Sequence, residues 1–234
     1  SQTNIFGIET TEFITSSVAG IISTVGGISF YKGTQVGNLS VLSPIASSYS
    51  AIIILFSVIF LSEVLRPVQV ISIVLVVVGT ILVSTNFKNI KNLKLAITDK
   101  VVPYGLLSLV CWGTSFILIG DMTLKIGWLE TNVLLTFSSL VFLTILTLYK
   151  EKNLLVTKGS TYKLAALLGI FSTMGYLGYS LGVNSVYASI VAPVVAAAPI
   201  VAVFLALGFL KEKLVQEQKI GIFLLMLGLV MLAV

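Results

Sequence analysis

The chain is a succession of apolar runs, each long enough to cross a bilayer as a helix. Short connections between them hold almost all of the charge. The eight runs are Thr11–Tyr31, Val36–Leu61, Val68–Thr85, Val101–Gly120, Trp128–Tyr149, Tyr162–Gly182, Val186–Leu210 and Glu217–Val234. A hydrocarbon core takes about 20 helical residues to span, whereas a barrel strand takes about half that and alternates in polarity. No run alternates. A water-facing surface is also out of reach, because 57% of the 234 residues are hydrophobic and only 10% are charged. Soluble domains carry about 25% charged residues. The mean hydropathy of +1.09 points the same way. A soluble globular enzyme and a disordered chain are thereby excluded. The expectation is an all-α, polytopic membrane helical bundle at the cell (plasma or inner) membrane, with lipid as a partner and no nucleic acid. Glu9 and Glu12 precede the first run and no basic flank does, so it does not read as a signal peptide.

The placement of charge supports the count. If the loops alternate sides, Lys32, Lys88, Lys91, Lys94, Lys100, Lys150, Lys152, Lys158, Lys163, Lys211, Lys213 and Lys219 fall on one side. Only Arg66 and Lys125 fall on the other. Positive residues mark the cytoplasmic side, so the Asn86–Lys100 and Lys150–Thr161 loops are expected there. There is no His and a single Cys, Cys111. No disulfide framework or His/Cys metal site is expected, and no cofactor. No nucleophile–base arrangement or phosphate loop occurs either, so the chain is not read as an enzyme.

Shifted by 149 residues, the sequence matches itself without a gap, with 17 identities in the 74 positions from Glu12 to Thr85. Gly20, Ser23, Thr24 and Gly26 fall on Gly169, Ser172, Thr173 and Gly175. Pro44 falls on Pro193, Glu63 on Glu212, Gln69 on Gln218 and Gly79 on Gly228. The loop before the first copy is acidic, at Glu9 and Glu12, and its equivalent is basic, at Lys158 and Lys163. Opposite charge on equivalent loops is expected of copies inserted upside down, a common plan of secondary transporters.

The stretch Phe30-Tyr31-Lys32-Gly33, Pro44, Phe60-Leu61-Ser62-Glu63, Gln69 and Gly79 resembles the later part of an EamA-type repeat of the drug/metabolite transporter superfamily. So does the stretch with Tyr179, Gly182, Pro193, Leu210-Lys211-Glu212, Gln218 and Gly228, while Trp112-Gly113 resembles the repeat's opening helix. The resemblance covers nearly the whole chain. It implies ten helices in two inverted five-helix repeats and transport of small metabolites through a central cavity. The expected division is 1–87 for the last three helices of the first repeat, 88–100 for a basic connecting loop, and 101–234 for the complete second repeat. Eight spans of an expected ten are visible. Subtracting 149 from 101–149 puts the first repeat's two opening helices before Ser1, so an N-terminally shortened chain is expected.

Glu63 and Glu212 read most simply as interfacial carboxylates near the next helix's start, the alternative being a titrating gate. Pro44, Pro193 and Pro199 lie within runs, as kinks or as sources of free carbonyls. Gly169, Gly175, Gly178 and Gly182 are read as close-packing positions. No charged residue sits at mid-span, and Asp121 with Lys125 is read as an interfacial pair. The substrate site is therefore sought among mid-span polar and aromatic residues: Trp112, Tyr176, Tyr179, Ser23, Thr24, Ser47, Ser172 and Thr173. These suit an amino-acid-like or other small polar or aromatic solute. The function expected is a secondary transporter, an exporter, working by alternating access as a monomer or weak homodimer. The alternative class is a non-transporting membrane scaffold or receptor subunit.

Overall fold

A computed structural model describes residues 8–36, 39–60, 64–84, 100–151, 159–197 and 215–232. Among these the secondary structure is helical throughout: α1 Thr10–Val36, α2 Leu39–Ser47, α3 Tyr49–Phe60, α4 Pro67–Ser84, α5 Val102–Ile126, α6 Trp128–Glu151, α7 Gly159–Ser185, α8 Ala188–Ala196 and α9 Gln216–Leu232. Among the described residues, five stretches are long and apolar enough to cross a membrane: Thr10–Val36, Val41–Ile59, Val102–Ile126, Trp128–Tyr149 and Ala165–Ser185. Pro67–Val83 is a shorter apolar helix.

Several boundaries differ from the sequence reading. Lys32–Gln35 belongs to α1, Asp121–Ile126 to α5 and Val183–Ser185 to α7, so none of these is a loop, and α6 and α7 reach into the 150–161 loop to Glu151 and from Gly159. Polar residues at a membrane edge do not end a helix; only the loss of a backbone partner does. The α5–α6 connection is Gly127 alone, at φ 99°, a left-handed residue that closes a helix end and turns the chain back. Its N–H donates to Thr123 O at 3.1 Å. The run Val36–Leu61 is broken, α2 giving way to α3 at Ser48. Ser48 N–H donates to Ile45 O at 3.2 Å, an i→i−3 bond where a helix would make i→i−4.

Helix starts are built by side chains reaching back. Glu12 Oε2 accepts from Glu9 N–H at 3.0 Å at the start of α1. Gln69 Oε1 accepts from Arg66 N–H at 2.8 Å at the start of α4, where Pro67 is the first helical residue. Gln218 Oε1 accepts from Val215 N–H at 3.3 Å at the start of α9. Each satisfies one donor that the helix itself cannot.

The chain divides into two compact units, 1–24 with 115–186 and 25–114 with 187–234, the division falling within α1 and α5. In the first unit the start of α1 packs with the end of α5, with α6 and with α7. Ser115 Oγ donates to Ala19 O at 2.8 Å and Ser139 Oγ to Gly20 O at 3.0 Å. A side chain on Gly20 would collide with Ser138 Oγ and the Leu135 carbonyl, so glycine sets the α1–α6 distance. Between helices in lipid the hydrophobic effect offers little, and such close contacts and hydroxyl bonds supply the attraction.

In the second unit α4 and α9 lie face to face. A Cβ on Gly79 would stand 2.7 Å from Leu225 N, and one on Gly228 would stand 2.8 Å from Ser72 O. Gly221 in turn meets Leu82 and Val83. As one helix's numbers rise the other's fall, so α4 and α9 run antiparallel. The α2–α3 and α8 segments pack beside them. Val41, Leu42 and Val101 form one apolar cluster with Phe30 and Tyr104, and Val83, Ala197 and Leu225 form another.

Gly169, Gly175 and Gly178 close on no described neighbour. The expectation that they pack helices together is not met among the described residues; Gly20, Gly26, Gly79, Gly221 and Gly228 do that. Glu63, Glu212, Pro199 and residues 86–99 and 152–158 of the two basic loops lie outside the described residues.

Candidate functional site

In the first unit, three expected site residues come together around Phe116. Ser23 Oγ and Tyr176 Oη share a hydrogen bond of 2.5 Å. The Tyr176 ring stacks on Phe116, centroids 5.5 Å apart and planes 27° apart. Tyr179 meets the same Phe116 ring edge-on at 4.7 Å, and its hydroxyl donates to Phe116 O at 3.0 Å. Tyr179 is fully buried and Ser23 nearly so, while Tyr176 is half-buried. α7 sets this order, since Tyr176 and Tyr179 are three residues apart and share a face. Tyr179 is thus fixed by a main-chain bond, whereas the Ser23–Tyr176 pair sits at the edge of the buried region. Thr24, beside Ser23, turns its hydroxyl to Gly20 O at 2.8 Å.

Ser172 and Thr173 are not part of that cluster. Both are exposed on α7, and Thr173 Oγ1 donates to Gly169 O at 2.9 Å within its own helix.

Trp112 belongs to the second unit and to a second aromatic group. Its ring lies 5.5 Å from Phe30 and 6.0 Å from Tyr49, the latter edge-on at 79°. Gly26 permits this, because a Cβ there would stand 2.9 Å from Trp112 Cδ1. Ser47, half-buried, is the last residue of α2, immediately before the break at Ser48.

Sequence reasoning missed Phe116, Asn132 and Ser180. Asn132 Nδ2 donates to Trp128 O at 2.7 Å and to Ser180 Oγ at 2.8 Å, a buried link from α6 to α7. A lone amide in the apolar run Trp128–Tyr149 was a readable signal, since an amide in lipid must find partners. Phe116, an apolar residue in an apolar helix, gave none. The first unit also holds a cavity of about 250 Å³ lined by Glu9, Thr11, Glu12, Thr15, Asp121, Met122 and Lys125. Lys125 Nζ bridges to Asp121 Oδ2 at 2.7 Å across one helical turn, the pair expected from their spacing.

The profile of one family, described as the EamA-like transporter family, matches residues 2–85 and 100–234. The chain belongs to the EamA-like transporter family. That makes it an integral membrane protein of the drug/metabolite transporter kind, a family of transporters rather than of enzymes. An uncharacterized protein of Methanocaldococcus jannaschii, MJ1333.1, is 27% identical over 139 residues, covering 58% of this chain and 98% of that relative. A protein of known crystal structure shares the fold at a TM-score of 0.70 with 15% identity, over 99% of this chain and 91% of that one.

Proposed function

We propose that this EamA-like protein is a secondary transporter that exports a small, amino-acid-like or other polar or aromatic solute across the plasma (inner) membrane by alternating access. It acts as a monomer or weak homodimer. The observation that carries the substrate class is the half-buried Ser23–Tyr176 hydroxyl pair on the Phe116 ring. A solute entering there meets a stacking surface and two hydroxyls able to donate or accept, with no charged side chain among the described residues that make these contacts. Such a surface favours neutral, zwitterionic and aromatic solutes over strongly charged ones. Tyr176, Ser23 and Thr24 are assigned to first contact and Tyr179 to holding Phe116 in place. Trp112 and Ser47, with Ser172 and Thr173, are assigned to other parts of the route.

The same reading includes two five-helix repeats of opposite insertion, on the ten-helix plan, with helices α1 to α4 in the first and α5 to α9 in the second. Three features support it. The helix-start bonds Arg66–Gln69 and Val215–Gln218 are 149 residues apart, position for position. So are the i→i−3 bonds Ser48–Ile45 and Ala197–Val194, each four residues after a proline of the repeat. The equivalent helices α4 and α9 run antiparallel. In addition, a relative spanned by 139 residues is about as long as one such repeat.

Counterflow in proteoliposomes made from the full-length protein, screened against amino acids, nucleosides and sugars, tests the function. Accumulation of one labelled solute class, reduced at least about tenfold by Tyr176→Phe, is expected. Absence of counterflow for every class refutes the transporter reading.

A further inference from the structure

Five described side-chain oxygens or hydroxyls are buried with no hydrogen-bond partner: Ser16, Ser57, Thr80 and Thr123 hydroxyls and Asn132 Oδ1. Three of them, on Ser16, Thr123 and Asn132, belong to the first unit, on the three helices that meet beside Gly127. Ser16 is 0% exposed, Thr123 1% and Asn132 4%. The orientation of the Asn132 amide is settled by its nitrogen, which already donates twice, so Oδ1 has only lone pairs to offer. Burying such groups unpaired is unfavourable, and their recurrence in one place calls for an occupant.

The helix registers place them within about one turn of one another. α5 runs antiparallel to α1, with Ser115 against Ala19 and Met122 and Lys125 beside Glu12 and Thr15. α6 turns back at Gly127 and therefore runs parallel to α1, with Leu135 and Ser138 against Gly20. One turn toward the helix starts, Ser16 is on the same face of α1 as Gly20 and level with Thr131 and Asn132. Thr123 lies on α5 one turn nearer Gly127 than the position facing Ser16.

The electrostatics of the surroundings favour a cation. Glu130, two residues before Asn132, is only 7% exposed and folds its carboxylate over Gly127. The neighbouring cavity brings Glu9, Glu12 and Asp121 against a single ammonium, Lys125, so cations are concentrated and anions repelled at that end.

We propose that Ser16 Oγ, Thr123 Oγ1 and Asn132 Oδ1 form a binding site for a sodium ion, entered from the acidic cavity and balanced by Glu130. Hard oxygen ligands, an amide carbonyl and two hydroxyls, suit an alkali ion rather than a transition metal. The site lies beside the Ser180 link to α7, the helix that carries Tyr176 and Tyr179. It therefore supplies the coupling ion of the proposed transporter and rests on that reading for its role, though not for its existence.

The test is thermal unfolding of the purified protein in NaCl against choline chloride at equal ionic strength. A saturable rise of roughly 5 °C is expected with sodium and none with choline. Ser16→Ala and Thr123→Val, small changes that preserve the fold, should each shift the sodium midpoint at least about tenfold, and Asn132→Leu should abolish the response. A rise equal in the two salts, or one unchanged in Ser16→Ala and Thr123→Val, overturns the proposal and leaves a bound water as the occupant. Counterflow without any sodium stabilisation removes the ion site and keeps the transporter. Sodium stabilisation without counterflow of any solute keeps the site and removes the proposed function.

Discussion

At the scale of single residues, glycine and hydroxyl positions separate into those that pack and those that do not, and substitution reads the difference. Gly20→Ala drives a methyl into the Leu135 carbonyl, which belongs to a helix backbone and cannot swing aside. A loss of about 1–3 kcal/mol is expected, seen as a lowered thermal midpoint. The repeat-equivalent Gly169→Ala meets nothing and should be neutral or slightly stabilising, because alanine is the better helix former. A matched loss at both positions would contradict the packing described. Tyr176→Phe removes one hydroxyl of a part-buried pair and should cost about 1 kcal/mol of stability. Its larger effect is expected on transport. The sequence made Ser23 and Tyr176 visible as polar residues at mid-span. It did not show that Ser172 and Thr173, the repeat counterparts of Ser23 and Thr24, stand apart from the cluster. A hydroxyl that bonds its own helix and one that bonds a neighbour are written with the same letter.

At the scale of elements, the aligned glutamines find a physical reason. Gln69 and Gln218 each reach back to the backbone just before their helix, so the residue recurs because the helix start recurs. Gln69→Ala and Gln218→Ala should each destabilise by about 1 kcal/mol, measurable as parallel shifts in thermal midpoint, and Gln69→Glu should retain much of the effect. Helix existence was legible from apolar runs of spanning length, and helix ends much less so. The extension of α5 to Ile126 was hidden because Asp121 and Lys125 look like loop residues, although their spacing is that of an i,i+4 helical pair. The interruption at Ser48 was half visible in Pro44, but the turn itself comes four residues later. Pro193→Ala restores a missing backbone donor inside α8 and should stabilise the helix while slowing transport, if the interruption moves during the cycle. Faster transport in a more stable Pro193→Ala protein would argue for a static kink.

At the scale of the whole molecule, membrane orientation follows from the charge count. The Lys-rich loops 86–100 and 150–161 are expected on the cytoplasmic side. Cysteine placed at Lys91 should resist an impermeant reagent in intact cells and react after permeabilisation. The natural Cys111 is buried and should add little background. Labelling from outside would reverse the orientation.

The contact between α4 and α9 is made of the same repeat positions used twice. Gly79 rests on Gly221 and Leu225, and Gly228 rests on Ser72 and Val76, the residues 149 positions earlier. A contact of that form is what two identical chains make about a two-fold axis. Two separate half-length chains could form it only by colliding within the bilayer after opposite insertion. A tether between the halves turns that encounter into an intramolecular one, at an effective concentration on the order of millimolar. It also frees each half to diverge, since a defect at Gly79 no longer appears automatically at Gly228.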